Sequence, residues 1–269
     1  AAKFPRHQVS WKPDLLIPID NPKVWAGSLI LIKSIVYPSG SLFAFTVRNS
    51  EVEETENDLT ELLLPLKDQN IPVSSAVIEE HDFLHGAKLV IQVLKGGTFR
   101  PNTLFLTLSE EQRNDDTIAE LVAHAMKYRL GIIILCQYKR TAFGVQKDVN
   151  LWLRDESPNW HLAMLIALQL QMNWKGKLNL ITASEDPADR TRLYNFLERL
   201  SDQVRLPSMA DFHVSIGSFK DVVEQAPRAD INIFGMPDTP SFTFMRSVTS
   251  DTKSSCIFIS DSGQESALV

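Results

Sequence analysis

Short apolar runs alternate with longer amphipathic ones along the whole chain, and this alternation restricts the fold more than any other feature. DLLIPID (14–20), SLFAFTV (41–47), IPVSSAVI (71–78), TLFLTL (103–108) and IIILCQY (132–138) read as strands. Between them, NPKVWAGSLILIKSIVY, the second half of EVEETENDLTELLLPLKDQN, DFLHGAKLVIQVLKGG and DDTIAELVAHAMKYRLG read as helices. Asn21 is placed to cap the first helix and Pro22 to take its first position. Strands alternating with helices imply parallel pairing through right-handed crossovers, with helices on the faces of the sheet.

At about residue 149 the series restarts. VNLWLR, KLNLITA, FHVSIGS, ADINIFGM and SCIFIS read as strands. The segment 159–174, PADRTRLYNFLERLSDQV, FKDVVEQA and the weaker SFTFMRSVTSD read as helices. DNPKVWAGSLILIKSIVYPSGSLFAFT aligns with DESPNWHLAMLIALQLQMNWKGKLNLIT, so that Asp20, Trp25 and Gly40 find counterparts in Asp155, Trp160 and Gly176. The polar segment KRTAFGVQKD (139–148) lies between the copies. The expected architecture is α/β: two similar doubly wound, mostly parallel-sheet halves, spanning 1–148 and 149–269.

The chain has 269 residues, 44% hydrophobic and 22% charged, enough for a substantial core. Its net charge of −6, without a basic cluster, argues against nucleic acid as a partner. No run is long and apolar enough to span a bilayer; the longest, WHLAMLIALQLQMNW (160–174), carries polar residues throughout. The chain opens on AAKF rather than Met, which suggests a piece of something longer or a processed product. The two cysteines, Cys136 and Cys256, sit in apolar runs and read as small buried hydrophobes rather than a disulfide or redox pair.

Gly96 and Gly97 stand before a strand and invite a phosphate-loop reading. A phosphate loop, however, follows a strand and opens a helix. Here the glycines end a helix, where a left-handed cap is expected, so they read as a scaffold turn. No GxGxxG, Walker A or GxSxG pattern occurs. Ligands of parallel α/β sheets bind outside the carboxyl ends of the strands. In the first half those loops are acidic: Asp20; Glu51, Glu53, Glu54, Glu56 and Asp58; Glu79, Glu80 and Asp82; Glu110, Glu111, Asp115 and Asp116. Such a rim repels an anionic nucleotide and is read as solvated loops and first helical turns, with a weak divalent-cation site as the sharper alternative. HDFLH (81–85) resembles the zincin HExxH, with His81 and His85 on one helix face, but Asp82 is one methylene short for the base and no third ligand is evident. His124 reads as a semi-buried histidine. No catalytic, cofactor-binding or metal-binding residue is assigned, and neither is a small-molecule substrate.

Four passages in order carry a family resemblance. SWKPDLLIPIDNPKVWAGSLILIKSIVYPSGSLFAFTV, FRPNTLFLTL, VNLWLRDESPNWHLAMLIALQLQMNWKGKLNLI and the closing SGQESALV resemble the cytoplasmic C-terminal region of cation–chloride cotransporters. Trp152 stands without a second adjacent Trp, the paired glycines near LWLRDESP are absent, and so are long Ser-rich insertions. A compact prokaryotic member fits these departures. The resemblance implies two halves like universal stress proteins and a non-catalytic regulatory and assembly role. It also implies a homodimer attached to a transmembrane domain, at the cytoplasmic face of the membrane. The alternatives are a stand-alone universal-stress-type nucleotide-binding protein, which a glycine-rich loop in place of SEEQRNDD (109–116) would mark, and a doubly wound hydrolase, which an exposed nucleophile at a strand end would mark.

Overall fold

The structure is a computed structural model that describes residues 11–155, 157, 160–204, 206 and 210–268. The first half runs β1 (Asp14–Pro18), α1 (Ala26–Val36), β2 (Ser41–Arg48), α2 (Val52–Lys67), β3 (Val73–Glu79), α3 (Phe83–Leu94), β4 (Thr103–Leu108), α4 (Asp115–Lys127) and β5 (Gly131–Cys136). The second repeats it as β6 (Val149–Trp152), α5 (His161–Trp174), β7 (Leu178–Ser184), α6 (Arg190–Val204), β8 (Ala210–Ile216), α7 (Phe219–Gln225), β9 (Ile231–Gly235), α8 (Phe242–Thr252) and β10 (Ser255–Ser260). Residue 159, where the sequence starts the long apolar helix, lies outside the described residues.

All these strands join one 10-stranded sheet, ordered β3-β2-β1-β4-β5-β10-β9-β6-β7-β8. Each half contributes the same order outward from the centre. The seam is the antiparallel pair β5–β10, which sets Cys136 opposite Cys256; the other pairings are parallel. The last strand of each half, an open edge in isolation, is thereby closed by its own counterpart.

The repeat register read from the sequence holds at its glycines. Each stands just before the second strand of its half, hard against backbone that leads into the first. A Cβ on Gly40 would lie 2.5 Å from the Pro13 carbonyl oxygen, and one on Gly176 only 1.8 Å from that of Lys147. Trp25 and Trp160 likewise both take the N-cap position of the long helix that follows.

One hydrophobic layer packs α1, α2, α5 and α6 on one face of the sheet, and a second packs α3, α4, α7 and α8 on the other. Helix α5 is buried from Leu162 to Gln171 and again at Trp174. Its all-round apolar surface is covered inside the chain, by the strands beneath it and by α1 beside it. Trp174 Nε1 donates to Ser34 Oγ at 2.9 Å, and Asn173 Nδ2 donates to the Ser34 and Tyr37 carbonyls at 2.6 and 2.8 Å. Helix α5 is therefore covered on more than one side within the chain and is not a bare face awaiting a second copy.

Some local expectations are corrected. Helix α2 starts at Val52, earlier than expected, and carries Pro65 inside it. Gly96 and Gly97 follow α3, but neither has positive φ; their N–H groups close tight turns onto the Val93 and Leu94 carbonyls. Nor does Gly131 end α4. It opens β5, where a Cβ would meet Leu162 Cδ2 at 2.5 Å and Glu265 Oε1 at 2.8 Å, and the left-handed residue is Arg129 instead.

The connector between the halves is ordered by one carboxylate. Asp230, just ahead of β9, accepts the Val145, Lys147 and Asp148 N–H groups at 3.1, 2.7 and 3.1 Å. Ala142, Gly144 and Gln146 all adopt positive φ there, and a Cβ on Gly144 would meet Asp230 Oδ1 at 1.9 Å. Successive N–H groups curled around an anion form a nest, here filled by the chain itself.

Candidate functional site

In a doubly wound half, the ligand crevice opens at the carboxyl ends of the first and fourth strands, where successive helices leave for opposite faces. In the first half those strands are β1 and β4. Trp25 fills the crevice between them: it is 4% exposed, packs its ring 6.4 Å from Phe105 of β4, and donates its indole N–H to Asp20 Oδ1 at 3.1 Å. Asp20 also accepts the Asn21 N–H at 2.9 Å, and Arg48 binds the Asp20 carbonyl.

The loop after β4 is held from the other half. Arg246 of α8 donates to both Asp115 oxygens at 2.9 and 2.6 Å, and to the Ser109 and Glu111 carbonyls at 2.8 and 3.3 Å. Asp115 holds the guanidinium pKa above its ordinary value. A nucleotide phosphate needs free N–H groups and positive charge at this point. Here the cation is already paired, and Asp115 and Asp116 occupy the first turn of α4.

The rest of the acidic rim is arranged as the sequence suggests. Glu53 and Glu54 lie in the first turn of α2; Lys23 reaches Glu54 and Asp58 at 3.9 and 3.4 Å, and Lys139 meets Glu110 at 2.7 Å. Among the described residues, no group of three or more His, Cys, Asp or Glu is arranged to hold a metal ion.

His81 and His85 do not share a helix face, which corrects the HExxH-like reading. Asp82 caps α3 by accepting the His85 N–H at 2.7 Å, and this leaves His81 outside the helix against Asn49 at 3.0 Å. His85 Nδ1 lies 3.2 Å from Glu80 Oε2. The His81 backbone N–H, and then the His85 side chain, hold the Glu80 carboxyl below its ordinary value. His124 faces the Lys88 carbonyl at 3.2 Å, and burial lowers its pKa. Burial pushes the Cys136 thiol up and the Cys256 thiol to about 12, so neither is a ready nucleophile.

The second half closes its crevice differently. Trp160 offers no side-chain cap to α5. Asp261, just past β10, supplies it, accepting the His161 and Leu162 N–H groups at 2.9 and 3.1 Å. A carboxylate of the chain thus holds the place that a bound anion takes at a helix N-terminus. Asp155 is engaged by Arg192. A small cavity of about 190 Å³ lies between Trp160 and the α6 residues Phe196, Arg199, Leu200 and Gln203. That is below the usual size of a ligand pocket, roughly 300–1,000 Å³.

Sequence reading missed Arg246, Asp230 and Asp261, because each acts on backbone or a side chain far away along the chain. It also missed a buried polar ladder across the second half. Asn179 Nδ2 donates to Asn150 Oδ1 at 2.8 Å, Asn150 Nδ2 donates to the Pro227 carbonyl and to Asn232 Oδ1 at 2.7 and 3.1 Å, and Trp152 Nε1 donates to Asn232 Oδ1 at 3.0 Å. His213 on edge strand β8 ends the ladder, 3.3 Å from Asn179 Oδ1. An asparagine flanked on both sides by apolar residues in each of three strand-like runs (VNL, LNL and INI) was the available signal.

With Trp25 packed between β1 and β4 and Asp261 on the first N–H groups of α5, ATP is expected not to bind. A ligand at a hundredfold its Kd would add about 2.7 kcal/mol, a Tm rise of roughly 5–10 °C at this size. The expected result with millimolar ATP is no saturable rise; one confirmed by calorimetry would contradict it.

Comparison with known proteins agrees with this geometry. The family model described as the first C-terminal domain of prokaryotic cation–chloride cotransporters matches residues 17–143, and that of the second matches residues 144–268. Among solved structures, the cytoplasmic domain of a prokaryotic cation chloride cotransporter is 28% identical, with a TM-score of 0.85 over 96% of this chain and 98% of that one. A protein from Pseudomonas aeruginosa assigned as a universal stress protein is 12% identical, with a TM-score of 0.60 over 94% of each chain. A universal stress protein from Archaeoglobus fulgidus is also 12% identical, with a TM-score of 0.53 over 93% of this chain and 97% of that one; these two show the fold alone. A search of curated sequences finds no match. Tandem universal-stress-like halves, crevices closed by the chain's own side chains, and both family matches in order lead to one conclusion: the chain belongs to the prokaryotic cation–chloride cotransporter family and spans its first and second C-terminal domains.

Proposed function

We propose that this chain is the cytoplasmic regulatory and assembly domain of a cation–chloride symporter. In this reading it is non-catalytic, holds no resident cofactor or metal, and is built of units 1–148 and 149–269. It forms a homodimer beneath the transporter's own transmembrane domain, at the cytoplasmic face of the cell membrane. Among the described residues, no helix is long and apolar enough to cross a membrane, so ion translocation is left to that other domain. The observation that carries the reading is the filling of both strand-end crevices by Trp25, Arg246 and Asp261 in a fold so close to a transporter's cytoplasmic domain. A stand-alone nucleotide-binding protein, the second reading, needs those crevices open.

The test is ion flux through the full transporter in vesicles, with and without this domain. Removal is expected to change the rate of transport and leave the choice of ions unchanged. A change in which ions are carried would place transport chemistry in this domain and contradict the reading.

A further inference from the structure

In the first half the charges are sorted by edge. The carboxyl ends of β1 to β5 carry the acidic rim. The amino ends carry cations: Lys12 before β1, Lys67 at the end of α2, Lys95 and Arg100 between α3 and β4, Lys127 closing α4, and Arg129 before β5. All six are exposed. The acids beside them are Asp14, paired with Lys12 at 3.1 Å, and Asp68. Among the described residues, no carboxylate pairs with Lys67, Lys95, Arg100, Lys127 or Arg129. Lys95 lies over the Tyr128 ring at 5.3 Å, and Arg100 donates to the Gly97 carbonyl at 3.3 Å, contacts that leave both charges facing water. Tyr37, 47% exposed, stands at the same edge between α1 and β2. No stretch of sequence here is basic. The cations come from separate connections, and the parallel pairing of β1 to β5 gathers them.

The acidic rim does not cancel this surface. Strands of six residues such as β4 and β5 hold the two edges about 20 Å apart, roughly twice the screening length in 0.1 M salt. Each edge therefore presents its own sign, despite the net charge of −6. The antiparallel β5–β10 seam turns the second half over, so the same edge continues into its strand-end loops, with Glu185, Asp186, Asp238 and Asp261. The positive surface is thus confined to the first half. The chain enters β1 at this edge, through Trp11, Lys12 and Pro13.

We propose that the amino edge of the first half is a membrane-facing surface that binds anionic phospholipid headgroups. The inference rests on the proposed function, in which the transmembrane domain comes before this chain in the transporter and so suspends it from that edge. Each Lys or Arg close to an anionic leaflet strengthens the contact roughly fivefold, and only within a Debye length. A tyrosine ring suits the headgroup level. Suspension beside Lys12 holds the cations where this attraction acts, while the acidic loops of the second half are repelled and tilt that half away. Nucleic acid shares the phosphate chemistry, but nothing brings it to this edge.

The test is flotation of the whole chain with vesicles of phosphatidylcholine alone and of phosphatidylcholine mixed with phosphatidylglycerol. In about 0.1 M salt the mixed vesicles are expected to recruit at least about tenfold more protein, a gain lost in about 1 M salt. The combined variant Lys67→Gln, Lys95→Gln, Arg100→Gln and Lys127→Gln should lose the gain. A second variant, Lys147→Gln, Lys175→Gln, Arg228→Gln and Lys253→Gln, makes the same change of charge at the opposite edge and should keep it. All eight side chains are exposed, so both variants should fold. Equal recruitment to the two kinds of vesicle overturns the proposal, as does a gain kept by the first variant or lost alike from both. Recruitment by a DNA duplex but not by the mixed vesicles would assign the edge to another partner and overturn it as well. So would weaker self-association of the first variant with vesicle binding unchanged. Flux through the full transporter tests the transport role separately: a change on removing the domain, without vesicle recruitment, would retain that role and reject this surface.

Discussion

Replacing Asn150 by aspartate is expected to cost about 3–5 kcal/mol, the penalty of leaving a buried charge uncompensated. Asn150 is 1% exposed and sits at the centre of the ladder. Its Oδ1 accepts from Asn179, while its Nδ2 serves both the Pro227 carbonyl and Asn232 Oδ1. A carboxylate keeps the acceptor and removes both donors. It faces the Pro227 carbonyl and the Asn232 oxygen with charge and nothing to share, although Trp152 Nε1 still serves Asn232. The Tm should fall by roughly 6–15 °C in a chain of this size. The introduced carboxyl group has a folded-state pKa above its unfolded value, because burial favours its neutral form. The folded state then binds more protons, so the deficit shrinks at acid pH and grows as pH rises. Thermal melts at two pH values check both points, and a Tm within about 1 °C of the parent would contradict the ladder's role.

Arg246→Ala is expected to cost about 2–3 kcal/mol, less than a fully buried pair. The Arg246 and Asp115 side chains are 16% and 22% exposed, and the contact joins α8 of one half to the β4–α4 loop of the other. Lysine should not restore it, because a point charge cannot serve two carboxylate oxygens and two carbonyls with a fixed fork. The comparison is Lys139→Ala, which breaks a pair whose partners are 75% and 63% exposed and should change stability by less than about 0.5 kcal/mol. Denaturant midpoints of the three variants measure this. An Arg246→Ala midpoint equal to that of Lys139→Ala would show that the seam does not depend on this contact.

The β-α alternation was legible because each element carries its own periodicity. Runs such as TLFLTL and SCIFIS became β4 and β10 with the expected bounds, and the paired Trp and Gly positions revealed the repeat. The pairing of the two halves was not legible, since antiparallel joining of β5 and β10 depends on packing across the seam rather than on any local pattern. Turn chemistry misled at Gly96 and Gly131: a glycine after a helix suggests a left-handed cap, but at Gly131 the physical demand is space for Leu162 and Glu265. The acidic rim was legible as charge. Its closure by Arg246 and Asp261 was not, because those bonds join residues 131 and 100 positions apart.

In the proposed function the domain assembles the transporter rather than binding or converting a ligand. Helix α5 is already covered within the chain, so a two-fold dimer must use other surface, and its affinity can be modest. If the membrane domains of the transporter also pair, tethering beneath them supplies an effective concentration near the millimolar range, and closed two-fold pairs are the commonest arrangement of identical subunits. Sedimentation equilibrium of the isolated chain over a wide concentration range is the deciding measurement. The expected result is a mass that rises reversibly from monomer to dimer as concentration increases. A chain that remains monomeric up to several hundred micromolar would contradict it.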